Sequence, residues 1–335
     1  MNIFGKEIDI FHVRRLSEVD VLVVACLVVA VFTALATAII PHTREKSSAI
    51  TEVPMYYPVE TAVPHEQAST PIKTANSGKS NFTKSIKLPP LKPVKQLDRS
   101  NPGFITLLGD GRLEAHFAPT KTNGLRGTYG GRWAPENLVS TADGTKLLVR
   151  KENSAEIPFS IAEAASREHY GYGRYEVVMQ IGKGSGLVSA FFTYTGPWFG
   201  NPHDEIDIEF LGKDPSTVLF NYWKNGKRGS FATFDLPFDA SAAPHLYAFE
   251  WLPDKITWYV DGEAFYATPE NDPGIPSTAG RVFFSHWTGI PKMSAWHGKP
   301  TFESDASALV NCVSFTPVGE NTRSCSDIYH SDHNG

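Results

Sequence analysis

The chain has 335 residues, of which 41% are hydrophobic, 12% are aromatic and 20% are charged, and its formal net charge is −5. This composition excludes a wholly disordered, collagen-like or polytopic membrane protein. The acidic balance argues against a nucleic-acid partner, since nucleic-acid-binding domains are usually basic. All seven tryptophans lie between Trp133 and Trp296, which indicates that the folded part of the chain begins well after its first hundred residues.

The first feature in chain order is an apolar run at residues 21–40, which contains no charged side chain. In a helix rising ~1.5 Å per residue, this run spans roughly 30 Å, the thickness of one hydrocarbon core. We therefore predict a cytoplasmic N-terminus at 1–20 and a transmembrane anchor at 21–41. A cleaved signal peptide is the alternative, because Ala36-Thr37-Ala38 has the small-x-small form of a cleavage site. Both interpretations place the remaining chain outside the cytoplasm, either anchored to the inner membrane or secreted.

Residues 42–102 have the composition of a linker. Seven prolines fall between Pro54 and Pro93, and residues 73–99 contain seven basic residues and one acidic residue. Such a segment buries too little apolar surface to offset its ordering entropy. As a flexible coil of ~60 residues it would extend on the order of 40 Å. Its basic stretch either contacts anionic lipid or acidic polysaccharide, or is a soluble spacer.

Short period-two runs begin near residue 103 and continue to about 317. The row Tyr175, Val177 and Met179 predicts one buried strand face, and Asn225-Gly226 and Asp261-Gly262 are strong hairpin signals. Amphipathic helical stretches are almost missing. We therefore predict an all-β sandwich or jelly roll at 103–317, followed by a C-terminal tail at 318–335. The glycine-rich segment 182–186 is predicted to be a hairpin turn, because no helix follows that would make it a phosphate loop.

The strand predicted at 203–210 carries the strongest chemical signal. Residues i, i+2 and i+4 of a strand share a face, so Glu205, Asp207 and Glu209 project together while Ile206 and Ile208 enter the core. Three like charges on one face repel each other. A retaining glycosidase uses two carboxylates ~5–5.5 Å apart, one as nucleophile and one as acid/base. An acidic solvated strand or a calcium-binding strand is the alternative.

The segment Glu205-Ile-Asp-Ile-Glu209 is similar to the catalytic signature of glycoside hydrolase family 16, in the form without a β-bulge. Bacterial lichenases and plant xyloglucan endotransglucosylases carry this form. The similarity covers about 103–317 and includes segments 170–176, 184–196, 204–214, 218–222 and 258–262. The resemblance implies a curved β-sandwich jelly roll of the concanavalin A-like type, with a carbohydrate cleft on its concave face.

The resemblance also implies roles for the three carboxylates. Glu205 matches the nucleophile that forms a covalent glycosyl-enzyme, and Glu209 matches the general acid that later acts as base. Asp207 would hydrogen-bond the nucleophile and help to keep one carboxyl protonated, since close carboxylates separate each other's pKa values. This chemistry requires no cofactor. Family members often bind a structural calcium on the convex face, and the sequence does not identify ligands for such an ion.

Carbohydrate binding uses aromatic platforms and amide hydrogen bonds in a groove. Residues that occupy positions similar to the family's cleft residues are Phe192, Tyr194, Asn221, Trp223 and Trp287. Three departures weigh against a strict mixed-linkage β-glucan preference. His203 stands where many lichenases have Trp, Ser285 replaces a cleft Asn, and the paired cysteines of the lichenase N-terminal half are absent. His203 is retained as a substrate-binding candidate, because the transglucosylases and some exopolysaccharide-cleaving relatives carry His there.

Three cysteines in 335 residues exclude a disulfide-framework miniprotein and leave no cysteine cluster for zinc. Cys312 and Cys325 could form a disulfide in an oxidising compartment, whereas Cys26 lies within the apolar run. His203, His245, His286 and His297 lack metal-ligand spacing.

Together these features predict an endo-acting retaining β-glycanase. Its substrate would be a β-1,3/1,4-linked glucan or a bacterial exopolysaccharide, and its further partner would be the membrane through the N-terminal helix. The alternatives are a transglycosylase acting on β-glucans and a non-catalytic carbohydrate-binding jelly roll. Retention of all three carboxylates argues against the non-catalytic alternative.

Overall fold

The computed structural model describes residues 101–109, 111–302 and 305–332. The predictions for 1–20, for 21–41 and for all but the last two residues of 42–102 fall outside these ranges. Within them, no helix is long and apolar enough to cross a membrane.

Seventeen β-strands and two short α-helices make up the regular structure of the described residues. The first nine strands are β1 (Phe104–Leu107), β2 (Phe117–Pro119), β3 (Gly131–Trp133), β4 (Leu138–Thr141), β5 (Gly144–Lys151), β6 (Phe159–Ser166), β7 (Gly173–Gln180), β8 (Leu187–Thr195) and β9 (Asp204–Leu211). The others are β10 (Thr217–Lys224), β11 (Lys227–Arg228), β12 (Ala232–Asp235), β13 (His245–Trp251), β14 (Ile256–Val260), β15 (Glu263–Ala267), β16 (Arg281–Thr288) and β17 (Ala306–Pro317). The helices are α1 (Ser294–His297) and α2 (Cys325–Asp332).

The strands form two packed layers. The cleft sheet runs in the order β2–β6–β16–β8–β9–β10–β12, with β11 also paired to β10. The back sheet runs in the order β4–β5–β17–β7–β13–β14–β15, with β1 also paired to β17. A short antiparallel pairing of β5 with β6 joins the two layers at one corner. The predicted all-β, jelly-roll-like architecture is confirmed.

The main core lies between these layers and is built from the alternate residues that the sequence pattern predicts. Ile206 and Ile208 of β9 and Tyr175 and Val177 of β7 are each completely or almost completely buried in one apolar cluster. Burial of a large apolar side chain contributes ~1.5–3 kcal/mol, which makes this layer the main source of stability. From the back sheet, Trp258 Nε1 donates a hydrogen bond to the backbone oxygen of Asp207 at 3.0 Å. The acidic strand β9 is therefore fixed from behind.

Two predicted hairpins are confirmed by their backbone angles. Asn225 and Gly226 have φ of 50° and 73°, and Asp261 and Gly262 have φ of 46° and 83°. Left-handed angles at both central residues define the type I′ turn, which matches the twist of paired strands.

The predicted hairpin at 182–186 is wrong. The strands on either side of it, β7 and β8, belong to different sheets, so the segment carries the chain from the back sheet to the cleft sheet. A Cβ on Gly186 would lie 2.5 Å from Pro300, so the glycines there serve close packing between loops.

Cys312 and Cys325, which the sequence showed only as able to pair, form a disulfide with a Cα–Cα distance of 5.8 Å. It joins β17 of the back sheet to the start of α2. At the next residue, Ser326, the backbone N–H and the hydroxyl donate hydrogen bonds to Glu176 of β7, at 2.7 and 3.2 Å. Part of the predicted C-terminal tail is thus a helix held against the back sheet.

Candidate active site

The catalytic strand β9 lies between β8 and β10, and neither pairing contains a bulge. Because the registers are continuous, Glu205, Asp207 and Glu209 lie on one face, the open face of the cleft sheet. Directly opposite them on the same face are Tyr194, Phe192 and Ala190 of β8 and Trp223, Asn221 and Leu219 of β10. The prediction of a bulge-free acidic strand is confirmed, and the fold brings Phe192, Tyr194, Asn221 and Trp223 beside it.

Glu205 and Asp207 are buried and Glu209 is half-buried beside them, so the charge of each carboxyl affects the protonation of the others. Burial raises the pKa of Asp207 well above its ordinary value, and the charges of Glu205 and Glu209 raise it further. Burial and the charge of Glu205 raise the pKa of Glu209 to about 7. A hydrogen bond from Asn221 Nδ2 to Glu209 Oε2 at 3.1 Å acts in the opposite direction. The net shifts favour the protonated forms of Asp207 and Glu209.

Asp207 also forms a side-chain hydrogen bond with Glu205. This hydrogen bond also raises the pKa of Asp207, the direction expected when a protonated Asp207 donates and Glu205 accepts. This is the contact that the family resemblance predicts between the central carboxyl and the nucleophile.

His203 provides a second polar contact to Glu205. Its Nε2 lies 2.6 Å from Glu205 Oε2, and the two side chains are only 8% and 2% exposed. The His203 ring stacks on Trp223, with centroids 5.3 Å apart, and meets Tyr194 edge-on at the same separation. Aromatic neighbours thus fix the imidazole, and the imidazole fixes Glu205. The structure thus places His203 on Glu205, and its predicted contact with substrate stays a prediction.

Glu163 of β6 is a further buried carboxyl that sequence reasoning missed. It pairs in register with Ser285 of β16, and Thr120 Oγ1 donates to its Oε1 at 2.8 Å. Burial raises its pKa to about 8, against the opposing effect of Thr120 and with a contribution from the charge of Glu205. The available signal was a single acidic residue within the otherwise small and apolar stretch at 161–165, which forms a buried strand.

The predicted aromatic residues form the floor of the cleft sheet. Phe192 is 3% exposed and stacks on Phe283, with centroids 5.0 Å apart. Trp287 lies opposite Val188 on the same face and contacts Tyr129 and Trp296, at centroid distances of 4.9 and 6.0 Å. Trp287 is therefore two strands from β9 and displaced from Glu205 by six residues along β8, so it extends the aromatic floor along the sheet.

The other histidines have structural surroundings. His245 pairs with Asp261 at 2.7 Å, and burial lowers the pKa of His286 to about 4. In the part of the chain that the structure describes, no group of three or more His, Cys, Asp or Glu side chains is placed to hold a metal ion. The calcium site on the convex face stays a prediction.

An all-β sandwich with buried, coupled carboxyls on an aromatic-lined open face defines the polysaccharide-cleaving class of jelly rolls. The sequence model of Glycosyl hydrolases family 16 matches residues 126–304, more than half of the chain. The chain is 47% identical over 190 residues to a beta-glucanase of Paenibacillus macerans, covering 57% of this chain and 78% of that protein. It is 41% identical over 203 residues to a beta-glucanase of Brevibacillus brevis, covering 59% and 74%.

Solved structures give the same result. The Bacillus licheniformis beta-glucanase superimposes with a TM-score of 0.60 at 35% identity, covering 65% of this chain and 99% of that one. A prokaryotic beta-1,3-1,4-glucanase (lichenase) from a mouse hindgut metagenome superimposes with the same score at 36% identity, covering 65% and 100%. The protein belongs to glycoside hydrolase family 16 and is a glycoside hydrolase.

Proposed function

We propose that the protein is an endo-acting β-glycanase that cleaves a β-1,3/1,4-linked glucan, or an exopolysaccharide with β-linked glucose, with retention of configuration. The observation that carries this proposal is the coupled set Glu205, Asp207 and Glu209 on one bulge-free strand. The names of the similar beta-glucanases support the substrate class.

In the first step, Glu205 attacks the anomeric carbon of the bound sugar while Glu209 gives its proton to the leaving glycosidic oxygen. The pKa of about 7 keeps Glu209 protonated in the free enzyme. The covalent bond to Glu205 removes a negative charge next to Glu209 and therefore lowers the pKa of Glu209. In the second step Glu209 accepts a proton from a water molecule as the water oxygen attacks the anomeric carbon, and the bond between that carbon and Glu205 breaks.

Several unpartnered polar atoms on the cleft side support sugar binding. Trp133 Nε1, Glu163 Oε2 and Asn221 Oδ1 are buried and have no hydrogen-bond partner among the described residues. A buried polar atom without a partner costs ~1–3 kcal/mol. Sugar hydroxyls can both donate and accept, so they can satisfy all three atoms. We propose Phe192, Tyr194, Trp223 and Trp287 as the aromatic surface beneath the sugar rings.

The predicted location outside the cytoplasm gains support from the disulfide between Cys312 and Cys325, since such bonds persist in oxidising compartments. Protease added to intact cells, with any outer membrane opened, should degrade the catalytic region. Full protection would contradict this location.

The substrate is tested by incubating the protein with mixed-linkage β-glucan, β-1,3-glucan and acidic exopolysaccharides, followed by mass analysis of the products. Oligosaccharides of several sizes are expected from at least one β-linked polymer. Transglycosylation would appear as products longer than the starting oligosaccharide at high acceptor concentration. Absence of any cleavage would support the non-catalytic alternative.

The roles of the carboxylates are tested with azide and an activated glycoside. With Glu205→Ala, azide enters from the opposite face and should give the α-glycosyl azide. With Glu209→Ala, the covalent intermediate still forms, and azide should give the β-glycosyl azide. Asp207→Asn should slow catalysis without a change of stereochemistry. The reverse pairing of azide products would exchange the two roles.

A further inference from the structure

The hairpin that joins β10 to β11 carries three cationic residues, Lys224, Lys227 and Arg228. In the antiparallel pairing, Trp223 lies opposite Arg228 and Lys224 lies opposite Lys227. Paired residues share a face, so Arg228 projects on the face of Trp223, and the two lysines project on the other. Trp223 is itself paired with Glu205. Arg228 therefore lies two interstrand spacings from the nucleophile, ~10 Å at Cα, on the open face of the cleft sheet.

The Arg228 guanidinium lies between two aromatic rings. Its Cζ is 5.7 Å from the centroid of Trp223 and 5.4 Å from that of Phe231, a ring that is 45% exposed. Stacking on a ring face leaves the in-plane N–H groups of a guanidinium free. Those groups form a fork that matches the two oxygens of a carboxylate.

Arg228 also differs in its partners from three arginines that are held by carboxylates. Arg132, Arg150 and Arg174 each form an ion pair with a carboxylate. Across residues 101–109, 111–302 and 305–332, no ion pair or hydrogen bond of the Arg228 guanidinium is found. Its charge nevertheless reaches the catalytic site, because it lowers the pKa of Glu209.

The hairpin is fixed in place by the residue that precedes the nucleophile. Asp204 Oδ1 accepts the backbone N–H of Asn225 at 2.9 Å, and its Oδ2 accepts those of Ser277 and Thr278 at 2.9 and 3.0 Å. The Gly226 N–H donates to the backbone oxygen of His203 at 2.9 Å. Arg228 is thus carried on a turn whose position is set by the catalytic strand, as a binding residue near the reacting sugar requires.

We propose that Arg228 binds a carboxylate carried by the polysaccharide substrate, with Trp223 and Phe231 flanking the sugar that bears it. This inference rests on the proposed function of the cleft and assigns its substrate to acidic β-glycans. The carboxylate can belong to a uronic acid ring or to an acidic acyl group esterified to a neutral sugar. The raised pKa values of Asp207 and Glu209 favour their neutral forms, which reduces the negative charge that an anionic polymer meets in the cleft.

The test uses three forms of one polymer: mixed-linkage β-glucan, the same glucan sparsely oxidised to carboxylates at C6, and the same glucan sparsely esterified with succinate. Values of kcat/KM are measured for the wild type and for Arg228→Gln, Arg228→Lys and Lys227→Gln. Arg228→Gln should lower kcat/KM on a carboxylated polymer, relative to the neutral one, by about five- to tenfold, the effect of one charge-assisted contact. Arg228→Lys should lose less, because it keeps the charge without the fork.

Lys227→Gln is the matched control, since Lys227 lies on the opposite face and the substitution also removes one positive charge. Lys227→Gln should leave unchanged the ratio of kcat/KM on a carboxylated polymer to kcat/KM on the neutral polymer. Added salt should reduce this ratio only in proteins that keep Arg228. If Arg228→Gln lowers kcat/KM selectively on the C6-oxidised polymer, the carboxylate that Arg228 binds belongs to a uronic acid. If the loss is selective for the succinylated polymer, the carboxylate belongs to an acyl group.

Equal losses on all three polymers with Arg228→Gln would overturn the inference, as would rejection of both carboxylated polymers by a wild type that cleaves the neutral one. If the wild type cleaves none of the three, and none of the β-1,3-glucan and exopolysaccharides used to test the substrate, the proposed function is wrong. Retardation of the same polymers in affinity electrophoresis then decides the role of Arg228 separately. The inference is supported if the wild type binds a carboxylated polymer more strongly than the neutral one and Arg228→Gln abolishes this difference. Equal binding of the carboxylated and neutral polymers by the wild type would refute it.

Discussion

Carboxylates are buried on the outer face of the back sheet and on the open face of the cleft sheet, but the groups that surround them differ. On the back sheet, Glu176 accepts two hydrogen bonds from Ser326, and Glu250 lies 2.6 Å from Arg174. On the cleft sheet, Asp207 lies between two further carboxylates. Burial raises the pKa of both Glu176 and Asp207. At Glu176 the contacts to Ser326 and the charge of Arg174 oppose that rise, whereas at Asp207 the neighbouring carboxylates add to it.

This difference distinguishes buried carboxylates that stabilise the packing of the fold from buried carboxylates that belong to a functional site. A buried carboxylate with donors around it fixes the packing of the elements that the contact joins, here α2 against β7 and β7 against β13. Buried carboxylates that face one another cost stability, and such sites are functional candidates. The variants described next change one face at a time.

The largest effect is expected at the nucleophile. Glu205→Gln should reduce kcat on a cleavable β-glucan by at least ~10⁴-fold, because no covalent route remains, while its amide keeps a polar group beside His203. Thermal unfolding should show a folded protein. The matched change on the other face, Glu250→Ala, deprives Arg174 of its ion-pair partner and should cost ~3 kcal/mol of unfolding free energy with kcat retained. A large loss of kcat in Glu250→Ala would contradict the separation of the two faces.

Glu163→Gln should stabilise the protein, and the effect should depend on pH. The pKa of Glu163 is about 8 in the folded protein against 4.5 in the unfolded chain. Protonation therefore favours the fold, fully below pH 4.5, and this contribution is lost as the pH rises through about 8. At pH 7 the neutral amide should add about 3 kcal/mol, with little change at pH 4.5. Urea unfolding at the two pH values measures this, and equal effects at both would contradict the assignment.

Removal of the disulfide should lower the stability of the protein through the back sheet, without an effect on the cleft sheet. The double variant Cys312→Ala/Cys325→Ala opens a loop with a sequence separation of 13 and should lower the unfolding free energy by ~2–3 kcal/mol. Calorimetry would show the loss as a lower Tm, and a reducing agent should reproduce it in the wild type. Since the disulfide lies on the far side of the core from Glu205, kcat should be retained.

The smallest effect is expected in the pH dependence of kcat/KM. Glu209 must hold a proton to act as acid, so kcat/KM should fall as the pH rises through about 7. Asn221→Ala removes a hydrogen bond that favours ionised Glu209, so this alkaline limb should move to higher pH. The change should stay below about tenfold at any one pH, because a single hydrogen bond contributes ~1 kcal/mol. Asn311→Ala, whose amide binds the backbone of Asp143 far from the cleft, should leave the limb in place.

The sequence predicts correctly those features that depend on neighbouring residues. The shared face of Glu205, Asp207 and Glu209 follows from the period of a strand, and the two type I′ turns follow from the tolerance of Asn, Asp and Gly for left-handed angles. The segment at 182–186 was assigned wrongly because glycines mark any tight connection. Whether such a connection stays in one sheet depends on strand pairing far along the chain.

The sequence by itself therefore determined the β architecture, the acidic strand and the cysteines able to pair, since local spacing and side-chain chemistry fix these. Only the tertiary structure decided that His203 contacts Glu205, that Glu163 lies within the electrostatic reach of the nucleophile, and that Arg228 stacks on Trp223. Each of these contacts follows from how strands and their loops meet across the sheet. The register of the paired strands is set by packing of the whole core, so it cannot be predicted from a local sequence pattern.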